Sequence, residues 1–143
     1  MPECQKKIST LCKNKSYMKK DLYKIDYVLK KGSANMLWKL ISTPSGLSEW
    51  FAEDVEQNEN IYTFRWDDAT QNAEIISVNP GTAIRFHWED EPDDSYFEFQ
   101  IDYSELTGAI ILSVTDFAEP ADKKASIELW NSQIETLARR SGM

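Results

Sequence analysis

A chain of 143 residues has the length of one domain and can bury roughly two-thirds of the surface that its unfolded form exposes. Its composition is that of a globular protein, 41% hydrophobic and 28% charged, but 12% of it is aromatic and five residues are Trp, so large flat side chains must find a place inside. The net charge of −8 is uneven: residues 1–20 hold six lysines and one glutamate, a net of +5, which leaves −13 on residues 21–143. Such a body repels phosphate backbones, and the basic head lacks the Arg clusters and interleaved aromatics of a specific reader, so no nucleic-acid partner is expected.

Cys4 and Cys12 lie in the basic head with no neighbouring His, a poor metal site. The cysteine-free body fits a reducing compartment, and no apolar stretch has the length of a signal peptide or a membrane span. The expectation is a cytoplasmic protein without membrane insertion. Residues 1–17, MPECQKKISTLCKNKSY, carry neither helical nor strand periodicity and precede a second methionine, Met18. They are expected to be a disordered or upstream tail, with the domain over residues 18–143.

From Leu22 the pattern sharpens. LYKIDYVL sets Tyr23, Ile25, Tyr27 and Leu29 against Lys24, Asp26 and Val28, which predicts a strand with one buried face over 22–29. Gly32 breaks it, and Ser33 caps a helix whose Leu37, Leu40 and Ile41 share a face with Ala34. A second short helix begins with Thr43 as cap and Pro44 at its first position, where the missing N–H costs nothing.

Residues 52–117 read as six strands separated by turns at 58–60, 67–70, 79–81, 89–94 and 104–108. Loops that short imply hairpins and an antiparallel meander. Centring the hairpin of TAIRFHW and SYFEFQI on EDEPDD pairs Phe86 with Phe97 and Ile84 with Phe99 on one face, and Arg85 with Glu98 on the other. For residues 69–79 two turn lengths give opposite faces, and both stay open. A long helix is expected to open at Pro120 and run to Arg140. It would carry Glu119 and Asp122 at its positive end, Arg139 and Arg140 at its negative end, and an apolar stripe of Ile127, Trp130, Ile134 and Leu137.

The order strand, two short helices, six antiparallel strands, long helix resembles the α+β helix-grip fold of the START-like (SRPBCC) superfamily. Within it, the chain is similar to the small proteins that are like the activator of the heat-shock-protein-90 ATPase. Three stretches carry the likeness: LWKLISTPSGLSEWFA (37–52), IRFHW (84–88) and IELWNSQIETL (127–137). The resemblance implies a curved sheet of about seven strands wrapped on the C-terminal helix, a cavity between them, and two short helices plugging one end. On that geometry Trp50, Phe64, Trp66, Phe86, Trp88, Phe97, Phe99, Trp130 and Ile134 point inward. Trp50 and Phe51 would then close the end of the cavity, or else be plain core with no void.

Catalytic candidates are few. The body has no Ser-His-Asp or Cys-His set, phosphate loop, dinucleotide fingerprint or zinc-protease motif. The single His, His87, falls on the Arg85 face, near Tyr96 and away from the apolar side. Asp116 continues the face of Ile110, Leu112 and Val114. It reads either as a partly buried carboxylate of raised pKa at the cavity mouth or as an anchor for the chain that follows. EDEPDD lacks the spacing and glycine of a calcium loop and reads as a solvated hairpin tip. The expected function is therefore non-catalytic binding of a small hydrophobic or amphipathic ligand, without cofactor or metal. The resemblance also leaves open docking on a partner ATPase, a homodimer, or a pocket enzyme of the polyketide-cyclase type.

Overall fold

The structure, a computed structural model, describes residues 20–30 and 32–143, so the expectation for residues 1–17 lies outside the described residues. In β1 (Asp21–Leu29) Tyr23 and Leu29 are buried while Leu22, Lys24, Asp26 and Val28 face out, the alternation that the sequence predicts. Ser33 caps α1 (Ala34–Ser42), its Oγ accepting the Met36 N–H at 3.1 Å. Thr43 Oγ1 accepts the Gly46 N–H at 3.0 Å to start α2 (Pro44–Leu47), with Pro44 in the first turn. A side chain at Gly46 would put its Cβ 1.9 Å from the Lys39 carbonyl oxygen, so glycine is what lets α2 fold back against α1.

Six strands follow: β2 (Asp54–Asn58), β3 (Ile61–Trp66), β4 (Ala69–Asn79), β5 (Ala83–Trp88), β6 (Phe97–Tyr103) and β7 (Ile110–Ala118). They form one antiparallel sheet with β1, in the order β1-β7-β6-β5-β4-β3-β2, so the first strand closes on the last. The central hairpin has the predicted register, Phe86 opposite Phe97, Ile84 opposite Phe99 and Arg85 opposite Glu98. A β-bulge between Ile75 and Ser77 resolves the faces of β4. Ala69, Gln71 and Ala73 point inward before it, and the extra residue inverts the alternation after it.

Two expectations need correction. The long helix α3 (Lys123–Ser141) starts three residues later than Pro120, at the Asp122 cap. Pro120 lies in a turn closed by the Asp122 N–H on the Glu119 carbonyl at 2.8 Å, a place that suits its fixed φ as well as a first helical turn does. Glu119 is consequently buried ahead of the helix rather than set at its exposed positive end. At 19 residues α3 is about 28 Å long, and it ends on Gly142 at φ +76°. The EDEPDD turn is not a fully solvated tip either. Glu91 is ion-paired with Lys20, and Asp90 Oδ1 accepts from Gln71 Nε2 at 3.2 Å, because the turn folds back onto cationic and amide donors at the end of the sheet.

Candidate functional site

Alternation in three strands and one helical stripe gather the predicted aromatic side chains into a single body. β3 contributes Phe64 and Trp66, β5 Phe86 and Trp88, and β6 Phe97 and Phe99, each pair two residues apart and therefore on the inner face. Trp130 and Ile134, one helical turn apart on α3, face them. All of these and Trp50 are buried. Trp38 packs against the same core while remaining partly exposed.

The centre of this body is Phe51, which does not cap its end. Its ring centroid lies 5.1 Å from Phe64, 5.8 Å from Trp130, 5.9 Å from Trp66 and Phe97, 6.1 Å from Phe99 and 6.3 Å from Trp88, in edge-on and stacked contacts. The backbone explains the position. The Phe51 carbonyl accepts from Trp66 Nε1 at 2.9 Å and from Gln133 Nε2 at 3.3 Å, which draws the residue in between sheet and helix. Trp50 sits beside it, its Nε1 donating to the Leu40 carbonyl at 2.8 Å.

Two clefts flank Trp50 on its outer side. One of about 340 Å³ lies against Ser48, Phe51, Ala52, Glu53 and Thr136. The other, about 240 Å³, lies against Met36, Leu40, Leu137 and Ser141, and the two share Glu49, Trp50 and Arg140 as walls.

Gln133 is a site residue that the sequence reading missed. It is 4% exposed, and its Oε1 has no hydrogen-bond partner among the described residues. The signal was present, since position 133 falls between Trp130 and Leu137 on the buried stripe, where a polar residue is out of pattern.

Asp116 lies inward, as its strand face predicts, and is half-buried. Its Oδ2 accepts from Trp130 Nε1 at 2.9 Å and from the Tyr23 hydroxyl at 3.4 Å, and its Oδ1 from the Phe117 N–H at 2.7 Å. The Tyr23 hydroxyl is also hydrogen-bonded to Ser126 Oγ. Burial pushes the Asp116 pKa up to about 6, against the opposing pull of the Trp130 and Phe117 hydrogen bonds and the Lys20 charge. Burial, and secondarily the Asp116 charge, push the Tyr23 phenol well above its ordinary range, so it stays a neutral donor. One carboxylate thus ties β7 to β1 and α3.

His87 lies on the other face, Nδ1 within 2.8 Å of the Ser95 carbonyl, remote from the ring cluster. Arg85 on that face holds Glu98 at 2.5 Å and lies 3.9 Å over the Tyr96 ring. Among the described residues no three His, Cys, Asp or Glu side chains are grouped to hold a metal ion, and no helix is long and apolar enough to cross a membrane.

A family model described as a START-like superfamily domain matches residues 17–143. A Bacteroides fragilis protein solved in solution by NMR is 40% identical, over 85% of this chain and 91% of that one, with a TM-score of 0.63. The Aha1 dimer from Colwellia psychrerythraea matches at 16% identity over 82% of this chain and 92% of its own, with a TM-score of 0.68. DynU16, from the dynemicin biosynthetic locus, matches at 15% identity over 83% of this chain and 46% of its own, with a TM-score of 0.67. The comparison with curated proteins finds no match.

Proposed function

We propose, from the premise that this chain belongs to the START-like superfamily, that it binds a small hydrophobic or amphipathic ligand between sheet and α3 without acting on it chemically. The observation that carries this reading is Gln133 Oε1, a buried acceptor left without a partner among the described residues at the edge of an otherwise apolar ring cluster. Leaving such a group unpaired costs about 1 to 3 kcal/mol, which a ligand carrying one hydroxyl or N–H donor on an apolar body would recover. Phe51 occupies the position such a ligand needs, so the ligand takes the place of its ring. The four-residue helix α2 and the segment after it are the part that yields, and the clefts outside Trp50 give that segment room to move.

Phe64, Trp66, Phe86, Trp88, Phe97 and Phe99 then form the floor, Trp130 and Ile134 the roof, and Asp116 fixes the roof by holding the Trp130 indole. A cytoplasmic setting belongs to the same proposal, supported by the absence of cysteine from residues 21–143. Titration with a naphthalene-sulfonate dye and with medium-chain fatty acids tests the reading, with Trp emission as readout. Micromolar affinity and a shifted or quenched emission are expected, about −8 kcal/mol of binding. Unchanged emission, together with native mass spectra that show no bound small molecule in protein purified from its own host, would sink it.

A further inference from the structure

β1 is an edge strand. It pairs with β7 on one side, and its other backbone edge meets no strand among the described residues. Such edges are normally blunted by a proline, a bulge, a short length or charged side chains; β1 has nine residues, no proline and an unbroken register from Asp21 opposite Ala118 to Leu29 opposite Ile110, and its central charges, Lys24 and Asp26, are of opposite sign. Its solvent face also carries two large apolar side chains, Leu22 at 54% and Val28 at 61% exposure.

Read backwards, the strand complements itself. We infer that β1 is a homodimerisation edge, on which two copies pair antiparallel about Ile25 and join their seven-stranded sheets into one. That register sets Leu22 opposite Val28 of the second copy and Lys24 opposite Asp26 of the second copy, and the two-fold axis repeats both pairs. The exposed apolar side chains cover each other. Among the described residues Lys24 makes no ion pair, and Asp26 uses only Oδ1, accepting from Ser113 Oγ at 2.7 Å.

Neighbouring registers fail. Centring on Lys24 or on Asp26 sets that charge against its own copy, and centring between residues sets inward side chains against outward ones. The juxtaposition of Lys20 with Lys30 falls beyond the strand ends, where Lys20 is already held by Glu91. The occupant is therefore a second copy, and backbone pairing supplies the attraction while the side-chain pattern selects the register. One strand pair makes a small interface, so the dimer is weak and forms in the micromolar range.

Sedimentation velocity on the full chain, from about 5 to about 500 µM with reductant present, tests this. The wild type is expected to shift from monomer to dimer across that range. Lys24→Glu and Asp26→Lys each set like charges opposite one another twice and should each weaken the dimer at least about tenfold. An equimolar mixture of the two variants restores both opposite-charge pairs and should recover dimer. If Asp26→Lys misfolds through loss of the Ser113 bond, judged by circular dichroism, Val28→Lys at an exposed position takes its place and should also dissociate the dimer. A wild type that stays monomeric throughout overturns the inference. So does a dimer indifferent to the variants, or a charge-variant mixture that fails to recover.

Discussion

The space between sheet and α3 is built on opposite principles at its Asp116 end and at the end from which Phe51 enters to reach the centre of the ring cluster. At the Asp116 end the helix is tied to the sheet by directional bonds: one carboxylate takes the Trp130 indole and the Tyr23 hydroxyl, and Ser126 on α3 meets the same hydroxyl. At the Phe51 end it is held mainly by ring packing around a residue from a short helix and its exit, with two backbone carbonyls as polar anchors among the described residues: that of Phe51, which accepts from Gln133 and Trp66, and that of Glu49, which accepts from Arg140 Nη1 at 3.0 Å. Directional bonds fix one geometry, whereas apolar contact tolerates exchange of one apolar body for another. On the proposed reading the Asp116 end is a hinge post and the Phe51 end the part able to open, and substitutions at Phe51 and at Asp116 strike the two ends separately, while Trp130 belongs to both.

Phe51→Ala should have the largest effect. Removing a fully buried phenyl from the centre of the cluster should cost about 3 to 5 kcal/mol in denaturant unfolding. The void left behind should also raise the affinity for the naphthalene-sulfonate dye while the Asp116 network persists. A loss below about 1 kcal/mol would mean that the cluster collapses freely and that Phe51 is no hub.

At the other end, the raised pKa of Asp116 makes stability fall with pH. The folded state holds the proton more tightly than the unfolded chain does. The contribution is therefore full below the unfolded carboxyl pKa, about 3.9, and is lost as pH rises through about 6. Between pH 4 and 8 the urea midpoint should drop by an amount worth up to about 2 kcal/mol. In Asp116→Asn, which titrates no proton there, that part of the slope should vanish; an unchanged slope would place the titration elsewhere. Trp130→Phe is smaller still. It keeps a ring on the cluster but removes the donor to Asp116 Oδ2, so it should cost about 1 kcal/mol. Because that hydrogen bond lowers the Asp116 pKa, the stability transition should also move to higher pH.

What was legible in the sequence follows the same division. Alternation and helical spacing report which face a residue takes, and that sufficed for β1, both helix caps, the central hairpin and the inward orientation of the ring residues and Asp116. What they do not report is depth. Trp50 and Phe51 follow a turn and precede acids, which reads as the end of an element, yet the Phe51 carbonyl is drawn inward by Trp66 and by Gln133, 82 residues away in the chain. The β4 bulge defeats any reading by alternation because it changes the period within one strand. The ties of Glu91 and Asp90 were invisible because charge composition says how polar a turn is and not what it meets.

The mildest test leaves both ends intact and strikes the sheet's outer face. Arg85 and Glu98 stand opposite one another there, with Arg85 Nε 2.5 Å from Glu98 Oε1 and the guanidinium over Tyr96. The Arg85 side chain is 37% exposed and that of Glu98 15%, so solvent screens much of their attraction. A double-mutant cycle to Ala at both positions should give a coupling of about 0.2 to 1 kcal/mol that fades as salt rises past a Debye length of about 10 Å at 0.1 M. The stacking on Tyr96 is shared by both Arg-containing members of the cycle and cancels unless Glu98 aims the guanidinium at the ring. A coupling that survives high salt would identify that aiming as the real interaction, because a cation over a ring is screened less than an exposed ion pair. Neither substitution should alter dye binding or the Asp116 transition. A change in either would mean that strain on the outer face reaches the helix, and the two ends would no longer be separable.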